Sequence, residues 1–399
     1  MYKLKSVPPQ PVFPHWSHLN QKQPQPVPKL TIKRRKESDA NAGEDNRFLL
    51  PIMTSRPAEF YHSLPKVELH RHLEGSLRLS TLVEIARDYD IDIQGFAGLQ
   101  PLVQIGPSDA HTAENFLSKF EVLRNFYRSA QIIKRITEEA IADAALDNIR
   151  YLELRFTPVA LAKAAGFPVD EVLDWVIEAV EGTQGKHGIT TRLLVSVNRH
   201  ESLELAEQVA LQAVDRLDSA IIGLDLAGDE AQYPCAPFEP IFREARQSGL
   251  KITIHAGEWG SAENVAQAIE YLKADRIGHG VRAMEDPRVV ALARELGTTF
   301  EVCLTSNYQS GVVADLDQHP IQKMIDSGLD VTINTDDPGI SQITLSDEYS
   351  LLCERIGMSQ VTLQERVTAA AQAAFLPADE REALEISLEE EFNQLNGPC

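Results

Sequence analysis

A (β/α)8 barrel is the fold this sequence predicts, and three observations lead to it. From Leu64 onward, short apolar runs alternate with amphipathic stretches. The runs number eight and are rich in Val, Ile and Leu, as expected of parallel strands covered on both faces. Several end in His, Asp or Glu, and barrels place their chemistry at the carboxyl ends of strands. A doubly wound open sheet is the competing α/β architecture.

In order, the predicted strands are residues 66–70, 150–156, 191–197, 221–226, 251–255, 276–279, 299–304 and 330–335. Helical periodicity falls between them at 169–181, 203–217, 263–273 and 286–296. The interval between the first and second strands is too long for one crossover. It reads as extra helices, at 113–130 and 131–148, inserted after strand one where loops cover a barrel mouth. C-terminal helices follow at 362–375 and 379–395, parted by Pro377.

The chain has 399 residues, 43% of them hydrophobic and 24% charged, which is enough for one large globular domain. Its formal net charge of -21 argues against a nucleic-acid partner. Four cysteines, Cys235, Cys303, Cys353 and Cys399, lie far apart without a CxxC pair. That excludes a disulfide framework and a thiolate zinc site. There is no run of about 18 apolar residues to span a bilayer. These features predict a soluble, cytoplasmic protein with no membrane partner, and leave its oligomeric state open. Residues 1–52 differ from the rest, with Pro8, Pro9, Pro11, Pro14, Pro24, Pro26, Pro28 and the basic run Lys33-Arg34-Arg35-Lys36. They read as a dispensable disordered tail, with the natural start near Met53 and one barrel domain over 53–399.

Five segments carry the chemistry. LHRHLEG holds His70 and His72, two apart at a strand end, so both rings can reach one ion. IHAGEWG holds His255 and Glu258, RIGHGVR holds His279, and INTDDPG holds Asp336 and Asp337. DLAGDE supplies Gly228, Asp229 and Glu230. If the strands close into a barrel, His70, His72, His255 and Asp336 share one rim, and zinc accepts imidazole and carboxylate together. One Zn2+ per chain is expected. Two adjacent aspartates repel each other, and a dication on one relieves this. Zinc lowers the pKa of bound water to about 7, and His279 then either holds that water or takes its proton. A fifth ligand or a structural histidine is the alternative for His279. Glu258 beside such a site is a proton-donor candidate, provided burial raises its pKa. The glycine of the Gly228 turn lets a backbone N–H approach a flat ligand. Phe116 and Phe120, one helical turn apart, form either an apolar wall at the mouth or core packing.

LPKVELHRHLEGS, DLAGDE, HAGEWG, RIGHGVR and NTDDPG, in this order, resemble the motifs of the adenosine deaminase family. The resemblance runs from Leu64 to Leu352. It implies a barrel that hydrolyses the 6-amino group of a purine nucleoside to ammonia. It further implies zinc on His70, His72, His255 and Asp336, and Glu258 protonating ring N1. His279 orients or deprotonates the water, the Gly228 N–H binds N3, Asp337 binds N7, and Phe116 and Phe120 lid the substrate. One position departs from the family pattern. Adenosine-specific members carry Asp in HxHLDG where this chain has Glu74, a longer carboxylate for the sugar. The DLAGDE segment resembles adenosine deaminases more than adenine deaminases, so adenosine is the first expected substrate. Adenine, a 5′-modified adenosine or a methylated adenine nucleotide is the alternative. No Gly-rich Lys loop marks a phosphate site. The HxE…PCxxC class of zinc deaminases is excluded, because no PCxxC follows His72 and Glu74.

Overall fold

The computed structural model describes residues 57–396. The predicted tail and the start near Met53 lie outside the described residues. One sheet contains eight parallel strands in chain order: β1 (Lys66–His72), β2 (Ile149–Phe156), β3 (Thr190–Asn198), β4 (Ile221–Ala227), β5 (Lys251–Ala256), β6 (Arg276–His279), β7 (Thr299–Val302) and β8 (Asp330–Ile333). All eight predicted strands are present. A doubly wound sheet reverses its strand order at a switch point, and this one never does.

Closure occurs at the seam between β8 and β1, where backbone and side chains share the ladder. Asp336 N–H donates to the His70 carbonyl at 2.9 Å, and His72 N–H donates to the Asp336 carbonyl at 2.8 Å. Deeper in, Leu69 N–H donates to Asn334 Oδ1 at 2.9 Å, and Thr335 N–H donates to Glu68 Oε1 at 2.8 Å. The segment that carries Asp336 is thereby stitched to the strand that carries His70 and His72.

Alternation within each strand sorts side chains between two environments. Val67, Leu69, Leu152, Leu154 and Phe156 are fully buried against the surrounding helices. Glu153, Arg155, Asp225, Arg276 and Glu301 point the other way. The proof is that they bond across strands that are not neighbours, which only the barrel interior allows. Arg276 on β6 pairs with Glu153 on β2, and its Nε donates to Glu301 on β7 at 2.6 Å. Arg155 on β2 donates to Glu301 at 2.7 Å and lies 3.5 Å from Asp225 on β4. Barrel interiors usually hold layers of branched apolar residues; this one holds an ion-pair network. Such a network contributes little net stability, because desolvation offsets attraction. What it provides is fixed orientation for whatever it touches.

Between strands lie helices Val169–Thr183, Leu203–Val214, Glu239–Gln247, Ala262–Glu270, Pro287–Leu296 and Ile321–Asp326. Gln360–Ala373 and Ala378–Asn396 follow β8. The insertion after β1 holds Leu79–Asp88, Gly95–Val103, Ala113–Leu123 and Ala130–Leu146. The predicted single helix over 113–130 is corrected. It breaks into Ala113–Leu123 and a short 3-10 turn, Arg124–Phe126, because Ser129 caps a new helix by accepting from Ile132 N–H at 3.3 Å. Among the described residues, no helix is long and apolar enough to cross a membrane.

Candidate active site

Every segment singled out from the sequence ends at the same rim. His70 and His72 come from β1, His255 from β5, His279 from β6, and Asp336 and Asp337 from the turn after β8. Gly228 and Glu230 follow β4, Glu258 follows β5, and Phe116, Phe120 and Arg124 descend from the insertion. One pocket is lined by His72, Glu74, Phe116, Phe120, Arg124, Gly228, His255, Glu258, His279, Asp336 and Asp337, with Leu117, Thr157 and Trp259 among the rest. Its empty space is about 730 Å³, within the range of small-molecule sites. The phenyl rings of Phe116 and Phe120 stand 6.3 Å apart on its wall. They therefore face the pocket and pack against the core at once.

At the floor, ligand atoms of His70, His255, His279 and Asp336 all lie within 4.8 Å of one another. This set has His279 where the sequence reading placed His72. His72 is nonetheless adjacent, its Nε2 lying 3.3 Å from Asp336 Oδ1 and 3.2 Å from His255 Nε2. Two ring nitrogens that close share either a proton, as N–H···N, or a cation. His70 Nδ1 meets Glu301 Oε2 at 2.8 Å, and His255 Nδ1 meets Asp225 Oδ1 at 2.9 Å. Ionised carboxylates only accept, so both rings carry their proton on Nδ1 and turn an Nε2 lone pair inward. The Nε2 of His70 is buried and has no aligned hydrogen-bond partner. Ser306 Oγ donates to Asp336 Oδ2 at 2.6 Å and leaves Oδ1 facing the histidines. Outward-facing acceptors behind inward-facing lone pairs are the donor set a divalent cation requires.

The carboxyls divide into two kinds. Burial opposes ionisation of Asp336, but the imidazoles of His70, His279 and His72 crowded around it outweigh burial and hold Asp336 well below its usual range. Burial first, then the charges of Asp336 and Glu230, push Glu258 well above its usual range. Asp337 is likewise pushed well up by burial and by Asp336. Glu74, buried beside Thr157, is raised to about 7; its Oε1 accepts from Thr157 N–H at 2.6 Å and its Oε2 has no partner. Asp336 is thus pushed toward its ionised form, and Glu258, Asp337 and Glu74 toward their protonated forms.

Two of the seven positive-φ non-glycine residues among the described residues lie here. His279 and Asp336 have φ of 60° and 66°, a region that non-glycine residues rarely occupy. Gly228 has a φ of 95°. At Gly75 an added Cβ would collide with Asp337 Oδ1.

Sequence reasoning missed several positioning groups. Glu230 is 3% exposed and accepts from Gly257, Glu258 and Gly260 N–H at 2.8, 2.6 and 2.9 Å, clamping the turn that carries Glu258. Asp225, Glu301 and Arg155 orient the histidines from below. Arg124 places a guanidinium on the pocket wall, a cation that no motif announced.

Fold and rim together define a barrel enzyme of the hydrolase kind, with a histidine–aspartate floor of metal-ligating chemistry under a pocket of small-molecule size. A family model described as adenosine deaminase matches residues 65–390. The adenosine deaminase of Erwinia tasmaniensis is 36% identical over 330 residues, 82% of this chain and 98% of that protein. A zinc-bound amidohydrolase from Burkholderia ambifaria superposes with a TM-score of 0.78 at 26% identity, covering 88% of this chain and 96% of that one. The N6-mAMP deaminase of Arabidopsis gives a TM-score of 0.75 at 27% identity, over 83% of this chain and 99% of that one. This chain belongs to the adenosine deaminase family of hydrolytic deaminases.

Proposed function

We propose that this chain hydrolyses the 6-amino group of adenosine, giving inosine and ammonia, with one zinc ion held by His70, His72, His255 and Asp336. When bound, the ion supplies Lewis acidity that activates water at neutral pH. The observation that carries the reading is the pattern of proton donors around the pocket. Ring nitrogens N1, N3 and N7 of adenine are acceptors only. Glu258 and Asp337, both pushed toward the protonated form by burial and neighbouring carboxylates, would offer an O–H each, and Gly228 its backbone N–H. Three donors for three acceptors is a purine's complement.

In this reading the Glu258 carboxyl donates to N1, which draws electrons from C6 and offsets the lost ring conjugation as water adds there. Asp337 donates to N7 and Gly228 to N3, fixing the ring in its plane. Phe116 and Phe120 cover its face and exclude solvent. The free Oε2 of Glu74 meets a ribose hydroxyl. Of the two protons of the added water, one goes to the leaving amino group, which departs as ammonia, and the other restores the Glu258 carboxyl; the 6-oxo purine remains and keeps the proton on N1. The cytoplasm fits the chain's acidity and free buried cysteines.

The test is adenosine turnover followed by the fall in ultraviolet absorbance, with Glu258→Gln beside the wild type. The variant should retain its metal and lose turnover by at least about 100-fold, the usual scale for a general acid. Unchanged kcat would reject the donor role. Loss of metal without loss of turnover would reject the zinc assignment. One observation favours a second reading, an N6-substituted adenine nucleotide: Arg124 stands on the wall where a phosphate could pair with it.

A further inference from the structure

Hydrogen bonds run from the outer wall of the barrel to His279, and they begin at a group of fixed polarity. The backbone N–H of Ile321 can only donate, and it donates to His319 Nδ1 at 3.2 Å. His319 is 5% exposed, and burial pulls its imidazole down to about 3, so the ring is neutral. A neutral ring that accepts at Nδ1 carries its proton on Nε2. That Nε2 faces Asn307 Oδ1 at 3.3 Å and donates to it. With its oxygen engaged, the fully buried Asn307 turns its amide nitrogen to His279 Nδ1, 3.1 Å away, and donates in turn. His279 must therefore accept at Nδ1 and hold its own proton on Nε2.

This is the reverse of His70 and His255, whose Nδ1 atoms meet carboxylates. The three rings crowd one floor with centroids 4.7 to 5.3 Å apart. They differ in the polarity of what lies behind them. His279 Nε2 is 3.9 Å from Asp336 Oδ2 and 3.6 Å from Glu258 Oε2. A protonated Nε2 has no lone pair for a cation and cannot accept a proton from water. It can only donate.

We propose that Asn307 and His319 are positioning residues that hold His279 as its Nε2–H tautomer, keeping that ring out of the cation's ligand set and making it a hydrogen-bond donor to the attacking water. The donor role rests on the deaminase reading; the tautomer does not. It follows that His70, His72 and His255 supply the imidazole ligands, although His279 belongs to the same cluster. It also follows that His279 orients the water rather than deprotonating it.

The test has two arms, both on the full chain loaded with zinc. In the first, histidine is labelled with 15N and the His279 signals are assigned by their loss in His279→Gln. The expected pattern is a protonated Nε2 and an unprotonated Nδ1; a protonated Nδ1 in the wild type overturns the proposal outright. In the second, Asn307→Asp replaces the amide donor by an acceptor of equal size, which forces the proton onto Nδ1. Holding a catalytic histidine in the wrong tautomer can cost about 10⁴-fold in kcat. Here a kcat loss of at least about 100-fold is expected, with KM little changed and the nitrogen pattern inverted. His319→Gln, whose amide can still donate to Asn307, should retain most activity, whereas His319→Leu should not. An Asn307→Asp enzyme with an inverted ring and undiminished kcat would overturn the donor role. If the wild type fails to deaminate adenosine at all, the substrate reading falls while the nitrogen spectrum still decides the tautomer.

Discussion

Glu230→Gln removes a charge and nothing of the side chain's shape, and its cost can be worked from three distances. Oε1 accepts from Glu258 and Gly260 N–H at 2.6 and 2.9 Å, and Oε2 accepts from Gly257 N–H at 2.8 Å. A glutamine has one carbonyl oxygen. Placed on the pair, it leaves its NH2 against Gly257 N–H, donor facing donor. One charge-assisted bond worth roughly 1.5–3 kcal/mol is lost, and the other two weaken. The total is about 3–4 kcal/mol. Part of it lowers Tm, at about 2 °C per kcal/mol in a domain of this size. The rest populates turns in which Glu258 is displaced. At 1.4 kcal/mol per decade, kcat/KM for adenosine should fall by about 10- to 100-fold. A second signature separates this from simple loosening. Glu230 is among the charges that raise Glu258; without it Glu258 gives up its proton at lower pH, so the alkaline limb of the kcat/KM profile moves down. Stopped or continuous absorbance assays across pH measure both. A variant with wild-type kcat/KM and an unmoved limb would refute the clamp.

Other perturbations probe stability and specificity. Burial raises Glu348 from 4.5 to about 7. A carboxyl raised on folding binds its proton more tightly in the folded state, so its contribution is complete below pH 4.5 and is lost as pH climbs to 7. The Tm advantage of wild type over Glu348→Gln should therefore shrink across that window in calorimetry, and a constant difference would contradict it. Arg276→Met strands the buried carboxylates of Glu153 and Glu301. It should cost about 3–5 kcal/mol, read as a lowered urea midpoint. Arg124→Ala should leave adenosine turnover nearly intact; if a nucleotide is the substrate, it should lower kcat/KM on N6-methyl-AMP by about tenfold, the scale of one charge-assisted contact.

The strands were legible because each is covered on both faces, so its apolar run is unbroken except where the barrel interior intrudes. Those interruptions were the overlooked signal. Glu153 and Arg155 within YLELRF, Asp225 within GLDLA and Glu301 within TFEV are charges in doubly buried strands. Such charges require partners across the barrel, and the partners prove to be one another and the histidines. His70, His255 and Asp336 were legible because chemistry sits at strand ends. Glu230 was read only as the close of DLAGDE, since its three bonds join turns that sequence keeps apart. Helix limits suffered where a cap went unweighed, as with Ser129. Arg124 follows Leu123 in an otherwise unremarkable helix end, and only the fold brings it beside Glu74.

The seam between the last strand and the first has a consequence for how this molecule comes to life. Leu69 and Asn334 are 265 positions apart, and contacts so remote in sequence are among the slowest to form. Because Asp336 is both the closing stitch and a floor carboxylate, no intermediate with an unsealed cylinder can assemble the floor. Regain of turnover after dilution from denaturant should therefore trail recovery of helical signal, and reports the moment of sealing.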